Sequence, residues 1–213
     1  MITVHHLNNS RSQRIIWLLE ELGVKDEIKH YQRDEVTNLA PPELKAIHPL
    51  GKSPVITDTD NDRVIAETGA IVEYLLRKYD SKHSFVPAVG TQDYIEYVHF
   101  MHYAEGSAML PLLLALYTGL LGEAAAPLQP RIMSEIKATL DYCEYQLIRS
   151  KNFAGEELSG ADFMMSFPLE AARAKGRLTG YEACNDWIET LWKRPAYLRA
   201  LEKGGDYAYG PRT

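Results

Sequence analysis

The chain has 213 residues, 46% of them hydrophobic and 24% charged, which is enough apolar material for one or two domains with a real core. Its net charge of −6 is spread along the sequence, so it reads as a solubility feature and argues against nucleic acid as the main partner. No apolar run reaches the ~18 residues a membrane span requires, MITVHHLNNS is too short and polar for a signal segment, and the two cysteines, Cys143 and Cys184, show no metal or redox spacing. A cytoplasmic protein with buried thiols and no metal is the expectation.

Ile2 to Leu7 reads as a short strand, followed by a turn at Asn8-Asn9-Ser10. Ile15, Ile16, Leu18, Leu19 and Leu22 then recur at helical spacing, with Glu20 and Glu21 facing solvent and Gly23 as the stop. Glu27 to Gln32 suits a second strand, and Pro41-Pro42-Glu43 starts a short helix. Val55 to Asp58 and Arg63 to Ile65 form a hairpin, after which Thr68 caps a helix running to Tyr79. Residues 81–92 carry a polar linker with Pro87 and Gly90. Beyond it the periodicity is helical throughout: Asp93 to Leu121, Pro130 to Ser150, Ala161 to Lys175, Glu182 to Lys193 and Ala196 to Lys203. The organisation is an α/β domain over 1–80, a linker over 81–92 and an all-helical domain over 93–213.

Chemistry enters at HPLGKSPVI, residues 48–56. Pro54 opens an apolar strand, although proline cannot donate to a strand ladder. X-Pro is the one peptide bond for which the cis form is cheap, about 0.5–1 kcal/mol above trans. A cis bond here turns Ser53 outward and leaves its N–H and C=O as an edge for an extended peptide ligand; the plainer reading is an ordinary turn proline. Downstream, Glu67-Thr68 lies between a strand and a helix N-terminus, where free N–H groups and the helix dipole favour a carboxylate. Together the two residues suit an amino-acid head group, with Glu67 on the amine and Thr68 on the carboxylate; the plainer reading is a simple N-cap.

These segments, with SRSQRIIWLLEELG (10–23), PPELKAIHPLGKSPVI (41–56), AETGAIVEYL (66–75) and SGADFMMSFPLEAA (159–172), resemble the cytosolic glutathione transferases over nearly the whole chain, and bacterial and fungal members in particular. The resemblance implies a thioredoxin-like N-terminal domain, an all-α C-terminal domain and a homodimer built on the helices that start at Thr68 and Asp93. It implies glutathione as co-substrate with no other cofactor, and a small hydrophobic electrophile or a peroxide as the second substrate. Ser53, beside cis-Pro54, would pair its main chain with the cysteinyl part of glutathione. Glu67 and Thr68 would hold the γ-glutamyl end, and Lys52 would reach the glycyl carboxylate. Tyr103, Ser107 and Leu110 would line the electrophile pocket. Ser159-Gly160-Ala161-Asp162 is the family's capping box and is structural.

The group that activates the thiol stays open among Ser10, Asn9, Arg11 and Ser12, with Ser10 favoured, because the Tyr or Cys found in much of the family is absent before the first helix. Ser10 and Ser12 also read as plain N-caps. Lacking a cysteine there, the chain is not expected to run disulfide exchange. The alternative to an enzyme is a non-catalytic glutathione-binding or regulatory protein on the same fold. His99-x-x-His102, with Glu105 beyond it, has the spacing of a metal face but reads as surface and packing.

Overall fold

The computed structural model describes residues 1–211. In chain order it runs β1 (Ile2–Leu7), α1 (Gln13–Leu22), β2 (Asp26–Tyr31), α2 (Glu43–Ile47), β3 (Val55–Asp58), β4 (Arg63–Ala66) and α3 (Thr68–Tyr79). There follow α4 (Gln92–Tyr103), a π-helical turn (Ala104–Ala108), α5 (Met109–Gly119), a 3-10 turn (Gly122–Ala125), α6 (Gln129–Arg149), α7 (Gly160–Ala174), α8 (Glu182–Trp192) and α9 (Pro195–Gly204). Among the described residues no helix is long and apolar enough to cross a membrane. The contacts divide the chain into two compact units: Met1–Ser84 with the segment from Leu191 onward, and Phe85–Thr190.

In the first unit the strands lie in the order β2-β1-β3-β4. β1 runs parallel to β2 and antiparallel to β3, and β3 pairs with β4 as a hairpin. β1 is central and buried almost throughout, whereas β2 is an edge strand, half-buried or exposed up to the buried Tyr31 at its end. Ile2, Val4, Val55 and Ile56 from the sheet join Ile15, Ile16, Leu18 and Leu19 of α1 and Ile71, Val72 and Leu75 of α3 in a solvent-free core. Gly23 ends α1 at φ 63°, the left-handed conformation that glycine adopts without Cβ strain. At the far end of β3, buried Asp58 accepts hydrogen bonds from Tyr74 Oη and Lys78 Nζ of α3, each at 2.5 Å. Burial pushes its carboxyl up, but those bonds outweigh burial and bring the pKa down to about 2.

The segment from Leu191 corrects the expected boundary, which assigned 93–213 to one helical domain. α9 packs on α1 through a Trp17–Tyr197 edge-to-face contact at 5.5 Å and a bond from Gln13 Nε2 to the Ala200 carbonyl at 2.9 Å. Glu20 and Glu21 are likewise not a solvated face. Arg194 grips Glu21 with two nitrogens at 2.5 and 2.9 Å, while Arg199 and Lys203 reach Glu20 at 2.6 and 2.5 Å. A forked arginine contact fixes direction as well as charge, so this acidic pair is what orients α9 on α1.

The second unit is helical, and its heart is α7, buried at nearly every position from Gly160 to Ala172. Phe100, Tyr103, Tyr142 and Phe153 form an aromatic cluster on it, with His99 stacked on Tyr103 at 5.4 Å. The continuous helix expected over Asp93 to Leu121 is interrupted: a π turn at Ala104–Ala108 widens the coil and shifts the phase of every later side chain. Cys143 and Cys184 are both buried and reduced, and burial raises the Cys143 thiol to about 12.

Candidate active site

The site follows from strand register. His5 lies opposite Val55, and Val55 opposite Ala66. Continuing both ladders one step past their last pairs puts Pro54 against Glu67 on one side and against His6 on the other. Two steps put Ser53 against both Leu7 and Thr68. Residues scattered over sixty positions thus meet at one end of the sheet because three strands share a register.

Ser53 ties this end together through its side chain. Its hydroxyl donates to the His5 carbonyl at 2.8 Å and accepts from the Leu7 N–H at 3.3 Å. The Ser53–Pro54 bond is cis, and Pro54 is buried. Among the described residues nothing bonds the main-chain N–H or C=O of Ser53, so both are open to an extended ligand.

Glu67 is the residue before α3, at φ 69° and ψ 122°. A non-glycine side chain at that φ is strained, and such strain persists only where the surroundings impose it. Thr68 is not the N-cap expected from the sequence; it is the first residue of α3, and no side-chain cap closes that end. The exposed Glu67 carboxylate and the Thr68 hydroxyl have no protein partner among the described residues. An uncapped helix start with a carboxylate beside it is suited to a zwitterionic head group. Lys52 is exposed on the same loop.

Beyond Leu7 the chain turns into α1 through five residues that the structure separates clearly. Asn8 is spent on Arg33, whose backbone N–H it accepts at 2.9 Å. Asn9, at φ 50°, accepts the Ala208 N–H at 2.7 Å and is committed to the C-terminal segment. Arg11 is half-buried in the same turn. Ser10 is buried, with its Oγ 3.4 Å from Ser53 Oγ, so it is the hydroxyl that sits beside the open Ser53 main chain. Ser12 is the N-cap of α1 but makes no cap bond; its hydroxyl lies 2.7 Å from Ser10 Oγ and 2.8 Å from His6 Nδ1. His6 is a member of this site that sequence reading missed. The available signal was its place in a central strand, where a polar side chain must find a partner.

The three pocket residues expected in the second unit differ in burial. Tyr103 packs into the aromatic cluster, its hydroxyl raised to about 12 by burial and the nearby Cys143. Ser107, in the π turn, and Leu110, just after it, are exposed. His99 accounts for its polar atom with Tyr142, its Nε2 lying 3.1 Å from that hydroxyl.

A four-stranded mixed sheet in the order β2-β1-β3-β4, helices packed on it, and a proline-gated main-chain edge together define a thioredoxin-like unit made to hold an extended peptide-like ligand. Residues 1–77 match the family described as Glutathione S-transferase, N-terminal domain. Glutathione S-transferase 1 of Saccharomyces cerevisiae is 32% identical over 95% of this chain and 95% of its own length. Glutathione S-transferase 3 of Schizosaccharomyces pombe is 37% identical over 97% and 89%. The crystal structure of a glutathione S-transferase from Actinobacillus pleuropneumoniae superposes with a TM-score of 0.87 at 36% identity, covering 99% of this chain and 100% of that one. The chain belongs to the glutathione S-transferase family.

Proposed function

We propose that this protein joins glutathione, through its sulfur, to an electrophilic carbon of a small hydrophobic molecule, the sulfur keeping its bond to the tripeptide as the leaving group departs, with a peroxide as the alternative second substrate reduced by the same thiolate. The supporting observation is the shared register that sets Ser10, the free Ser53 main chain and the Glu67-Thr68 helix start at one sheet end. On this reading Ser53 pairs with the cysteinyl residue, Glu67 and Thr68 hold the γ-glutamyl group, and Lys52 takes the glycyl carboxylate.

A thiol has a pKa of about 8.5 and is mostly protonated at neutral pH. Lowering it by about two units takes roughly 2.7 kcal/mol of preference for the anion. One hydrogen bond to a charged acceptor supplies about 1.5–3 kcal/mol, and the start of α1 adds about 0.3–1. A single hydroxyl donor suffices, and Ser10 is the one beside Ser53. Asn9 and Arg11 stand behind it as alternatives, Asn9 already holding Ala208. Tyr103, Ser107 and Leu110 remain the proposed apolar lining for the electrophile, with Tyr103 the most constrained of the three. The homodimer would form on α3 and α4, in a cytoplasmic, detoxifying role.

Calorimetric titration with glutathione, followed by conjugation of an activated aryl halide, tests the reading. Binding in the micromolar to millimolar range with turnover is expected. Absence of binding at millimolar glutathione would reject it, and light scattering at a monomer mass would reject the dimer.

A further inference from the structure

Behind Ser10 lies a chain of buried polar atoms. Ser10 and Ser12 place their hydroxyls 2.7 Å apart, and the Ser12 N–H donates to Ser10 Oγ at 3.2 Å. Ser12 Oγ is 2.8 Å from His6 Nδ1. Ser12 and His6 are 0% and 2% exposed, so solvent cannot substitute for any of these partners. The other side of the His6 ring meets the backbone of Gly204, the last residue of α9. A carbonyl at a helix C-terminus has no partner within its helix and can only accept, so the ring nitrogen facing it carries the proton. Gly204 also lies against the Gln13 side chain, where a Cβ would crowd Gln13 Oε1.

The donor directions are then determined. His6 is uncharged, held well below its ordinary range by burial and then by neighbouring His30. His30, in edge-to-face contact from β2 at 5.5 Å, is the titratable group facing it; α1 and α9 present a hydroxyl and a backbone group. With Nε2 protonated toward Gly204, Nδ1 is an acceptor and takes the proton of Ser12. Ser12 oxygen is left as the acceptor for Ser10. At 2.7 Å it is a far better one than Ser53 Oγ at 3.4 Å.

We propose that Ser12 and His6 are positioning residues that hold the Ser10 hydroxyl by its proton, so that an arriving sulfur must compete with Ser12 for that proton. This rests on Ser10 being the thiol's hydrogen-bond donor. The fixed oxygen position helps ionisation, since Ser10 is delivered already oriented. The competing acceptor opposes it, because the thiolate is stabilised only when Ser10 exchanges its bond to Ser12 for one to sulfur.

Two measurements on the full-length protein test this. In the first, histidine is labelled with 15N and the His6 ring is read by NMR. The neutral Nε2–H tautomer is expected at pH 7 and still at pH 5; the Nδ1–H tautomer, or an imidazolium at pH 7, overturns the proposal. In the second, ionisation of bound glutathione is followed by thiolate ultraviolet absorbance in wild type, Ser12→Ala and Ser12→Thr. Ser12→Ala should move the thiol pKa down by roughly half to one unit, with Ser12→Thr restoring the wild-type value and glutathione affinity within about twofold throughout. No shift, or an upward one, overturns it, as a purely structural serine would not lower the pKa. Ser10→Ala separates the two ideas: an unchanged thiol titration in that variant refutes the role of Ser10 itself, while the tautomer measurement still judges the relay.

Discussion

Helices α3 and α7 begin in opposite ways. At α7 the polar groups are bonded within the fold: the Asp162 carboxylate accepts the Ser159 N–H at 2.8 Å, the Ser159 hydroxyl at 2.9 Å and the Phe153 N–H at 2.9 Å, all in a buried setting. At α3 the cap residue Glu67 stands at φ 69°, its carboxylate and the Thr68 hydroxyl lack protein partners, and no side-chain bond closes the turn. One end spends its polar groups on the fold; the other pays in strain and keeps them available. A satisfied helix start is architecture, and an unsatisfied one beside an open main-chain edge is where a ligand belongs.

The sharpest way to break this contrast is to exchange the two consequences. Asp162→Ala strands buried donors at three atoms and should cost about 3 kcal/mol or more in urea unfolding, while glutathione affinity of the folded fraction stays unchanged. A large change in affinity would mean that α7 serves the site. Ser10→Ala should reduce kcat/KM by roughly 10- to 100-fold with little change in the glutathione Kd; an unaltered rate would pass the role to Asn9 or Arg11. Glu67→Gly should raise the glutathione Kd about tenfold and yet stabilise the protein by about 1 kcal/mol, because glycine relieves the positive φ. Thermal melts alongside calorimetry would check both halves, and a loss of stability would show that Glu67 is structural after all. The smallest effect concerns Asp58, which lies away from both helix starts. Its folded pKa, about 2, is below the ordinary carboxylate value, so its contribution is complete above about pH 4 and is lost as pH falls toward 2. Lys78→Met should flatten that part of the acid-unfolding curve.

Local patterns in the sequence carried the strands, most helix limits and the capping box, since each is set by near neighbours along the chain. What escaped was long-range. Glu20 and Glu21 look solvated until Arg194, Arg199 and Lys203 arrive from the far end of the chain. The place of α9 depends on the same contacts. The π turn at Ala104–Ala108 inserts one extra residue into a helical pattern, which an apolar periodicity does not register. His6 shows no motif, because its meaning comes from a carbonyl nearly two hundred residues downstream.

The docking of α9 against α1 also orders events during synthesis. The β1–α1 turn leaves the ribosome ahead of the helical unit, yet Trp17, His6 and Asn9 acquire Tyr197, Gly204 and Ala208 only after residues 85–190 have been made. The first unit therefore waits, unfinished, while the helical unit is being made, and a fragment ending near Ser84 should emerge as a sticky, chaperone-bound species lacking an independent fold.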